Sequence, residues 1–543
     1  MLWSAGETPL LIAVFAGVAS WRTLNRFTVR GDYALVLLSA SLVGMYLCVP
    51  LNLSIVFFTS LVLSTLAYRL SPLHPLASYP GPVTWRFSSM VLAAISSTGY
   101  RHLILHELHK KYGDFVRIGP NVLSINSFNA ASVIYGPKLL KGDAYTSPGH
   151  TGDVALFFKQ DPSVHSKRKV LWTNALSNSA IQGYHNAFAK RTDQLVQCIE
   201  SRLNEEGEVN LSDCINHWTF DVMGDVMFGG AGTDLELMRD GDPGGLVQIG
   251  KRSEAGLDSL GHIPWLLDIM WYASESDAVN LRRLREVCGS MMRSRLQHKN
   301  VDKQDLTSYF LDHDIRVGDR PTPSDMELEA LVAVQGGSDN PGSQLIMAMF
   351  LLITNPNVLR TLQTQLDDIF PESTQWHLDP RALAFPYLDA VINETFRLSS
   401  PWLLPRVVPK GGIVIDGCVI PEDTIVALAS YSQHISEDNF FPDPLSFRPE
   451  RWLPGGLGPG SVLKKTALTT FTAGPHACPG KNFAMVQMRH LIARLVLNFD
   501  LALCPHLSPE EFMKGFKNIR SNIFDEPLMV TVTERRGGKN ATW

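Results

Sequence analysis

The stretch "TTFTAGPHACPGKNFAMVQMRHLIARLV", residues 469–496, places a single cysteine, Cys478, just before an apolar run. Gly474 and Gly480 lie on either side of this cysteine, and glycines let the backbone approach a flat group closely. Two prolines in the same segment stiffen it, because their rings fix the backbone angle φ. The pattern therefore predicts a rigid loop that holds one thiol in a fixed position.

The residues from about Lys481 onward predict a helix that begins directly after this loop. Its N-terminus would point at the sulfur of Cys478, where free N–H groups and the helix dipole favour a thiolate. A thiolate on a rigid loop, with room for a plane above it, suits an axial ligand to haem iron. A lone cysteine is more often a small apolar core residue, and that interpretation fits the other six. These are Cys48, Cys198, Cys214, Cys288, Cys418 and Cys504.

The segment "FTAGPHACPG" resembles the haem-binding signature of the cytochrome P-450 family. The matching residues are Phe471, Gly474, His476, Cys478 and Gly480. Family members most often have arginine where His476 stands, to pair with a haem propionate. Histidine can donate the same hydrogen bond but is charged only below its usual pKa of about 6.5. The resemblance therefore implies a hydrogen bond at His476 rather than a permanent ion pair.

Two further motifs, "ETFR" and "FRPERW", contain Glu394, Arg397 and Arg451. Taken alone, Glu394 and Arg397 predict an exposed i,i+3 salt bridge that contributes a few tenths of a kcal/mol. In the family that these motifs resemble, the same residue types form a buried network that locks the cysteine loop. Loss of one member would strongly destabilise such a network, because a charge would stay buried without a partner.

The segments "VHSKRKVLW" and "SPWLLPRVVP" supply three candidate haem contacts, His165, Lys169 and Arg406. The i,i+4 spacing places His165 and Lys169 on one helical face. A basic surface helix explains this stretch nearly as well when it is taken alone. By resemblance, His165 and Lys169 reach the haem propionates, and Arg406 lies on a strand that crosses the haem edge.

The stretch "QGGSDNPGS", residues 335–343, departs from the family pattern. Similar proteins have an acid followed by threonine here, whereas this chain has Asp339 followed by Asn340. The glycines before them and Pro341 weaken a helix, so the sequence predicts a break that opens a groove. An amide is a poorer proton relay than a hydroxyl, which leaves proton delivery to Asp339 and ordered water. Alternatively, Asn340 merely adapts to the break before the proline.

The resemblance implies a monooxygenase that inserts one oxygen atom from dioxygen into a hydrophobic small molecule, with haem b as cofactor. The sequence has no dinucleotide-binding glycine-rich turn, so electrons are expected from NADPH through a separate flavoprotein reductase. The expected substrate is a secondary metabolite: a terpenoid, a polyketide or an alkaloid. Two alternatives stay open: a haem-thiolate isomerase or dehydratase that does not use dioxygen, and a non-catalytic haem-binding protein.

The composition is that of a globular protein, with 45% hydrophobic and 19% charged residues among 543. A net charge of -5 gives no reason to expect a nucleic-acid partner. The seven scattered cysteines do not form a disulfide framework, which fits a reducing compartment. The sequence predicts a mainly helical catalytic domain with a small β region over residues 83–543, of the cytochrome P-450 fold that the resemblance implies.

Residues 1–70 are expected to form a membrane anchor of two or three apolar segments, and the proline-rich residues 71–82 a semi-rigid hinge. Glu7 and the lack of early basic residues argue against a secretory signal peptide. Arg22, Arg26 and Arg30 predict that the first loop is cytoplasmic. A hairpin formed by the second and third segments would then leave the catalytic domain facing the cytoplasm, with the endoplasmic reticulum as the expected membrane.

Local patterns also predict two strand pairs and the lining of a pocket. The segment "DFVRIGPNVLSIN" predicts two strands, and "GIVIDGCVIPEDTIVAL" predicts a hairpin that turns at Asp416 and Gly417. The pocket residues are expected from four ranges: 139–163, 332–337, 401–404 and 516–524.

Overall fold

The computed structural model of the protein describes residues 8–25, 30–145, 155–229, 235–272, 277–298, 304–312, 320–371, 383–399 and 403–535. Within these ranges the chain is mostly helical and its strands are short, as predicted. The helices up to the middle of the chain are α1 (Thr8–Leu24), α2 (Gly31–Cys48), α3 (Leu51–Leu70), α4 (Val83–Phe87), α5 (Ser89–Ser97), α6 (Arg101–Tyr112), α7 (Ala130–Ile134), α8 (Pro162–Ala175), α9 (Asn178–Gly183), α10 (His185–Ser201), α11 (Leu211–Phe228), α12 (Leu237–Asp240), α13 (Leu246–Leu260), α14 (Pro264–Met270), α15 (Asp277–Gln297) and α16 (Leu306–Leu311). The later helices are α17 (Pro323–Thr354), α18 (Pro356–Ile369), α19 (Pro386–Ser399), α20 (Ser430–His434), α21 (Glu437–Phe440), α22 (Lys481–Asn498) and α23 (Pro509–Lys514).

The strands are β1 (Phe115–Arg117), β2 (Val122–Ile125), β3 (Glu208–Asn210), β4 (Arg406–Val407), β5 (Ile413–Ile415), β6 (Cys418–Ile420), β7 (Ile425–Leu428), β8 (Phe499–Leu503), β9 (Phe516–Asn518), β10 (Asn522–Phe524) and β11 (Met529–Glu534). They form one four-stranded sheet in the order β1-β2-β7-β4, a three-stranded sheet β3-β11-β8 and two two-stranded pairs. Strands β2 and β7 are parallel, whereas β1 and β4 lie antiparallel to their neighbours.

Both predicted strand pairs are present in the structure. Strands β1 and β2 pair antiparallel, and so do β5 and β6, with Ile415 opposite Cys418. The two residues between β5 and β6 have positive φ, 47° at Asp416 and 78° at Gly417. This is the primed two-residue turn that matches the twist of a hairpin.

The three N-terminal helices are apolar and largely exposed. Among the described helices that do not need a bend, α3 is long and apolar enough to cross a membrane, whereas α1 and α2 are shorter apolar helices. Helix α3 packs mainly on α1, where the Ser60 hydroxyl donates to the carbonyl of Val14 at 3.0 Å. Helix α2 packs on α14 instead, and the Gly31 N–H donates to the Asp268 carboxylate at 2.9 Å.

Helix α17 runs through the centre of the main hydrophobic core and packs on α11, α15, α19 and α22. A capping box between Thr322 and Asp325 fixes its start, with Pro323 at the first helical position. The predicted break around residues 336–341 is wrong, because the helix continues from Pro323 to Thr354 through both glycines and Pro341. Tertiary packing therefore outweighs the weak helix propensity of this stretch.

A hydrogen bond from α22 compensates for the proline inside α17. Pro341 has no N–H, so the carbonyl of Gly337, four residues earlier, loses its helical donor. The side-chain Nε2 of Gln487 donates to that carbonyl at 3.0 Å. This bond joins α17 to the helix that directly follows the cysteine loop.

We expect Gln487→Met to lower the free energy of unfolding by about 1–3 kcal/mol, because the Gly337 carbonyl would be buried without a donor. In a Pro341→Ala background the alanine N–H can bond the same carbonyl. Gln487→Met should therefore lower the free energy of unfolding by clearly less in that background. A double-mutant cycle by thermal or denaturant unfolding measures this difference. Equal costs in both backgrounds would show that Gln487 acts through packing alone.

Candidate active site

The cysteine loop lies between Thr469 and α22. The backbone N–H of Cys478 donates to the carbonyl of Phe471 at 3.0 Å, which closes the loop. Within it, Thr472 and Gly474 have positive φ values of 55° and 66°. Cys478 lies inside the domain, and its exposed surface faces a large cavity that it lines. Helix α22 begins at Lys481, where the sequence predicted it.

Gly474 is required by a close approach between two backbone segments. A Cβ atom at this position would lie 2.2 Å from the carbonyl oxygen of Tyr135, which is closer than any real contact. A Cβ at Gly480 would lie 3.7 Å from the sulfur of Cys478, in ordinary contact. Gly474 therefore fixes how the loop lies on the rest of the domain, whereas Gly480 leaves the side of the thiol open.

Two opposing influences act on the thiol of Cys478. Burial raises its pKa, while the Gly480 N–H and the charge of Lys169 act to lower it. The N–H therefore acts in the direction predicted from the helix N-terminus, but burial outweighs it. A metal cation at the sulfur would reverse this balance, because a coordinating thiol loses its proton.

The structure brings Glu394, Arg397 and Arg451 together in one fully buried network. Arg397 donates to both carboxylate oxygens of Glu394, at 2.7 and 2.8 Å, and the Nε of Arg451 donates to one of them at 3.2 Å. The indole of Trp452 and the backbone N–H of Arg448 add bonds of 2.8 and 3.1 Å. Burial alone would raise the pKa of Glu394, but these donors hold it below its usual value.

His434 connects this network to the cysteine loop, and the sequence analysis did not identify it. Its backbone carbonyl accepts from Arg397 at 2.8 Å, and its Nε2 accepts from the Thr469 N–H at 3.3 Å. Burial lowers its pKa to about 3, so the ring is neutral and can accept. Phe471 adds an apolar contact, since its ring packs edge-on at 5.3 Å against Phe396 of α19.

The cavity has a volume of about 350 Å³ and is mostly apolar, as expected of a small-molecule site. All four predicted pocket ranges contribute to its lining, although residues 146–154 and 401–402 lie outside the described residues. The sequence missed the contributions of α11, α13 and α22. The lining residues from these helices are Met223, Glu254, Leu257, Phe483, Ala484, Gln487 and Met488.

A basic cluster lines the cavity beside the cysteine loop. It consists of Lys141, His165, Lys169, Arg406 and His476. The Nζ of Lys169 donates to the Pro475 carbonyl at 2.7 Å, and the Nε2 of His165 lies 3.3 Å from the Nδ1 of His476. The predicted haem-contact residues thus come together, and Lys141 joins them although no sequence motif marked it.

Burial and the surrounding cations control the charge of this basic cluster. They lower the pKa of His165 to about 3 and that of His476 to about 4, so both rings are neutral near pH 7. Burial also lowers the pKa of Lys141 to about 7.

The basic cluster fits an anionic ligand such as the carboxylates of haem. Among the described residues, no carboxylate pairs with Lys141, Lys169 or Arg406. Within the described ranges the buried Nε of Arg406 has no hydrogen-bond partner, while one Nη donates to the Tyr145 hydroxyl at 2.6 Å. Unpaired buried donors are costly, so this group of residues favours a bound anion.

Asp339 and Asn340, from the stretch that departs from the family pattern, lie in different surroundings. Asn340 lines the cavity, whereas Asp339 is buried behind the wall and accepts from Gln335 Nε2 at 2.7 Å and Ser521 Oγ at 3.4 Å. Its second oxygen, Oδ1, has no partner among the described residues. Burial raises the pKa of Asp339 to about 6, although Lys251 and the two hydrogen bonds oppose the shift.

A second buried network, also missed by the sequence analysis, positions one wall of the cavity. Glu329 of α17 accepts from Arg168 at 2.8 Å, from the Trp172 indole at 2.9 Å and from the Leu156 N–H at 3.2 Å. The carboxylate thereby holds residues 155–158 against the cavity. The sequence offered no signal for this role, because Arg168 and Trp172 look like ordinary members of a basic helix.

We expect Gly474→Ala to lower the melting temperature and reduce the haem content of the purified protein, because the Tyr135 carbonyl must move. Gly245→Ala is a matched control, with nearly the same φ of 65° and no atom within 4 Å of the added Cβ. The control should lose only about 1–2 kcal/mol of folding free energy, the cost of a side chain at positive φ, and it should keep its haem. Equal effects of the two substitutions would show that the contact with Tyr135 does not constrain the loop.

Comparison with known proteins places this site in a family. The model of the family described as "Cytochrome P450" matches residues 80–523. The chain is 30% identical to Cytochrome P450 67 of Uromyces fabae over 85% of this chain and 87% of that protein. It is also 30% identical to a cytochrome P-450 monooxygenase of Aspergillus oryzae, over 81% of this chain and 88% of the relative.

A third relative is the tryprostatin B 6-hydroxylase of Neosartorya fischeri, 28% identical over 83% of this chain and 80% of the relative. Family membership implies haem iron held by a cysteine thiolate, together with a redox partner and a small-molecule substrate. The chain belongs to the cytochrome P-450 family and is a haem-dependent monooxygenase.

Proposed function

We propose that this protein is a membrane-anchored monooxygenase that oxidises a hydrophobic secondary metabolite, with Cys478 as the residue whose thiolate would hold the iron of haem b. The observation that carries the proposal is that Cys478 lines a mostly apolar cavity beside a basic cluster whose Lys141, Lys169 and Arg406 pair with no carboxylate among the described residues. Relatives named as fungal monooxygenases, one of them for the hydroxylation of tryprostatin B, support a secondary-metabolite substrate.

The residues of the cavity wall would hold the cofactor and shape its surroundings. Cys478 would bind the iron, while Lys169, Arg406, His165 and His476 would hold the propionates. Bound haem iron supplies the activation of dioxygen and the insertion of one oxygen atom into a C–H bond. The apolar side chains of the wall bind the carbon skeleton of the substrate and exclude water.

Asp339 and Asn340 would share the delivery of protons to the cavity. With a pKa of about 6, Asp339 can hold a proton at Oδ1 and release it close to neutral pH. Asn340 lines the cavity and can orient a water molecule there, because its amide both donates and accepts hydrogen bonds. This division of roles lets the amide replace a hydroxyl without itself relaying the proton.

The N-terminal part of the chain would serve as the anchor. We assign residues 1–70 to the membrane, 71–82 to the hinge and 83–543 to the catalytic domain. Helix α3, which among the described unbent helices is long and apolar enough to cross a membrane, supports an anchor together with its partner α1. We assign this anchor to the endoplasmic reticulum, with the catalytic domain facing the cytoplasm. Electrons would come from NADPH through a separate flavoprotein reductase in the same membrane.

Cys478→Ala tests the ligand assignment. We expect the variant to lose the carbon-monoxide-bound absorption of reduced thiolate-ligated haem, because no other side chain would replace the sulfur. Cys418→Ala is a suitable control, since Cys418 lies on the β5–β6 hairpin and does not line the cavity. Retention of the thiolate spectrum by Cys478→Ala would refute the assignment.

Asp339→Asn tests proton delivery, with Asn340→Thr as its counterpart. We expect Asp339→Asn to lower product formation and raise peroxide release per NADPH while haem content stays normal, because the amide holds no releasable proton. Asn340→Thr should keep product formation and lower the peroxide released, since a hydroxyl relays protons better. The measurement uses the purified protein with reductase and a panel of apolar substrates. Unchanged coupling in Asp339→Asn would exclude this role.

A further inference from the structure

One acidic side chain lines the cavity. Glu254 of α13 is the only carboxylate among the described residues of the cavity wall. Apart from the basic cluster beside Cys478, the one other charged residue of the wall is Arg520. The wall formed by α13 thus differs in charge from the wall that faces the cysteine loop.

The geometry of α13 directs Glu254 towards the central helix. Gly250, Glu254 and Leu257 lie three or four residues apart and therefore share one helical face. A Cβ at Gly250 would lie 2.5 Å from the Oε1 of Gln335, so this face packs closely on α17. Glu254 and Leu257, one turn further along the same face, line the cavity.

The polar groups near Glu254 are only partly bonded to other residues, because the Oε1 of Gln335 and the Nη1 of Arg520 are buried without a hydrogen-bond partner among the described residues. The amide of Gln335 donates to Asp339 at 2.7 Å. Arg520 donates to the carbonyl of Ala144 at 3.3 Å, and its Nε lies 4.0 Å from the carboxylate of Asp258. Among the described residues, no hydrogen bond or ion pair reaches Glu254 itself.

The electrostatic surroundings leave this carboxylate short of positive charge. Burial raises the pKa of Glu254 to about 7; Arg520 opposes the shift, while Asp339 and Asp258 add to it. Arg520 thus opposes two carboxylates, one of which, Asp258, is itself paired with Arg101 at 2.7 Å. A cation placed in the cavity beside Glu254 would offset the burial of its charge.

We propose that Glu254 is the subsite for a protonated amine on an otherwise apolar substrate. Building on the proposed function, this inference selects alkaloid-like, nitrogen-containing skeletons over neutral terpenoids and polyketides. The apolar wall binds the carbon skeleton, and the ion pair with Glu254 fixes its orientation. A charge pair in such a poorly solvated site is much stronger than one at the surface.

The proposal is tested with two probes of equal shape on the haem-loaded full-length protein. The first is 4-phenylbutyl-trimethylammonium, whose quaternary nitrogen cannot bind iron, and the second replaces that nitrogen by carbon and is uncharged. Equilibrium dialysis gives both dissociation constants. We expect Glu254→Gln to weaken binding of the ammonium probe about tenfold or more and to leave the uncharged probe within about twofold.

Three further variants keep the test decisive. Glu254→Asp keeps the charge and should retain the preference for the ammonium probe, while Glu254→Met is a second neutral variant in case the amide disturbs packing. Glu437→Gln, an exposed glutamate on α21, is the matched control and should bind both probes like the wild type. Equal weakening of both probes, or no change in either, would overturn the subsite.

The amine subsite and the proposed oxygenation can be refuted separately. If NADPH-dependent oxidation proceeds but removal of the Glu254 charge does not affect the ammonium probe, the amine subsite is wrong and the monooxygenase function stands. If the charge preference is present but the protein consumes no NADPH with a reductase, the subsite stands and the proposed oxygenation is wrong.

Discussion

The position of the cysteine loop depends on one buried carboxylate, that of Glu394. Five N–H donors converge on it, from Arg397, Arg448, Arg451 and Trp452. Through Arg397 and His434 the same network reaches Thr469, where the loop begins. A carboxylate without these donors would be too costly to bury, so the charge is stable only when all these segments are in place. The network thus favours one arrangement of α19, the turn at 449–452 and the loop.

Buried hydrogen-bond acceptors also position the segments around another part of the cavity. Glu329 collects donors from α8 and from the segment at 155–158, and Gln487 supplies the donor that Pro341 removes from α17. The Glu329 carboxylate and the Gly337 carbonyl are both buried acceptors, and each is satisfied only when a donor from another segment packs against it. The apolar core around α17 provides most of the burial, and these few polar contacts determine the register of the helices on it.

Features that depend on neighbouring residues were predicted well from the sequence. The turn at Asp416 and Gly417 and the start of α22 at Lys481 follow local motifs. The local pattern at Glu394 and Arg397 predicted only an exposed pair, and the buried grouping with Arg451 came from the family resemblance. The break in α17 was predicted wrongly, because helix propensity carries no information about the donor that Gln487 brings from another helix. Glu254 and His434 were missed for the same reason, since each gains its surroundings only through segments distant in sequence.

The bond between Gln487 and the Gly337 carbonyl has a consequence for divergence within the family. With a proline at position 341, the Gly337 carbonyl takes its donor from a side chain on α22, so we expect the two positions to vary together. Relatives without the proline should be free to carry an apolar residue in place of the glutamine, whereas relatives with it should retain an amide or another donor. Paired substitution at these two positions would then record, in the history of the sequences, the contact between α17 and α22.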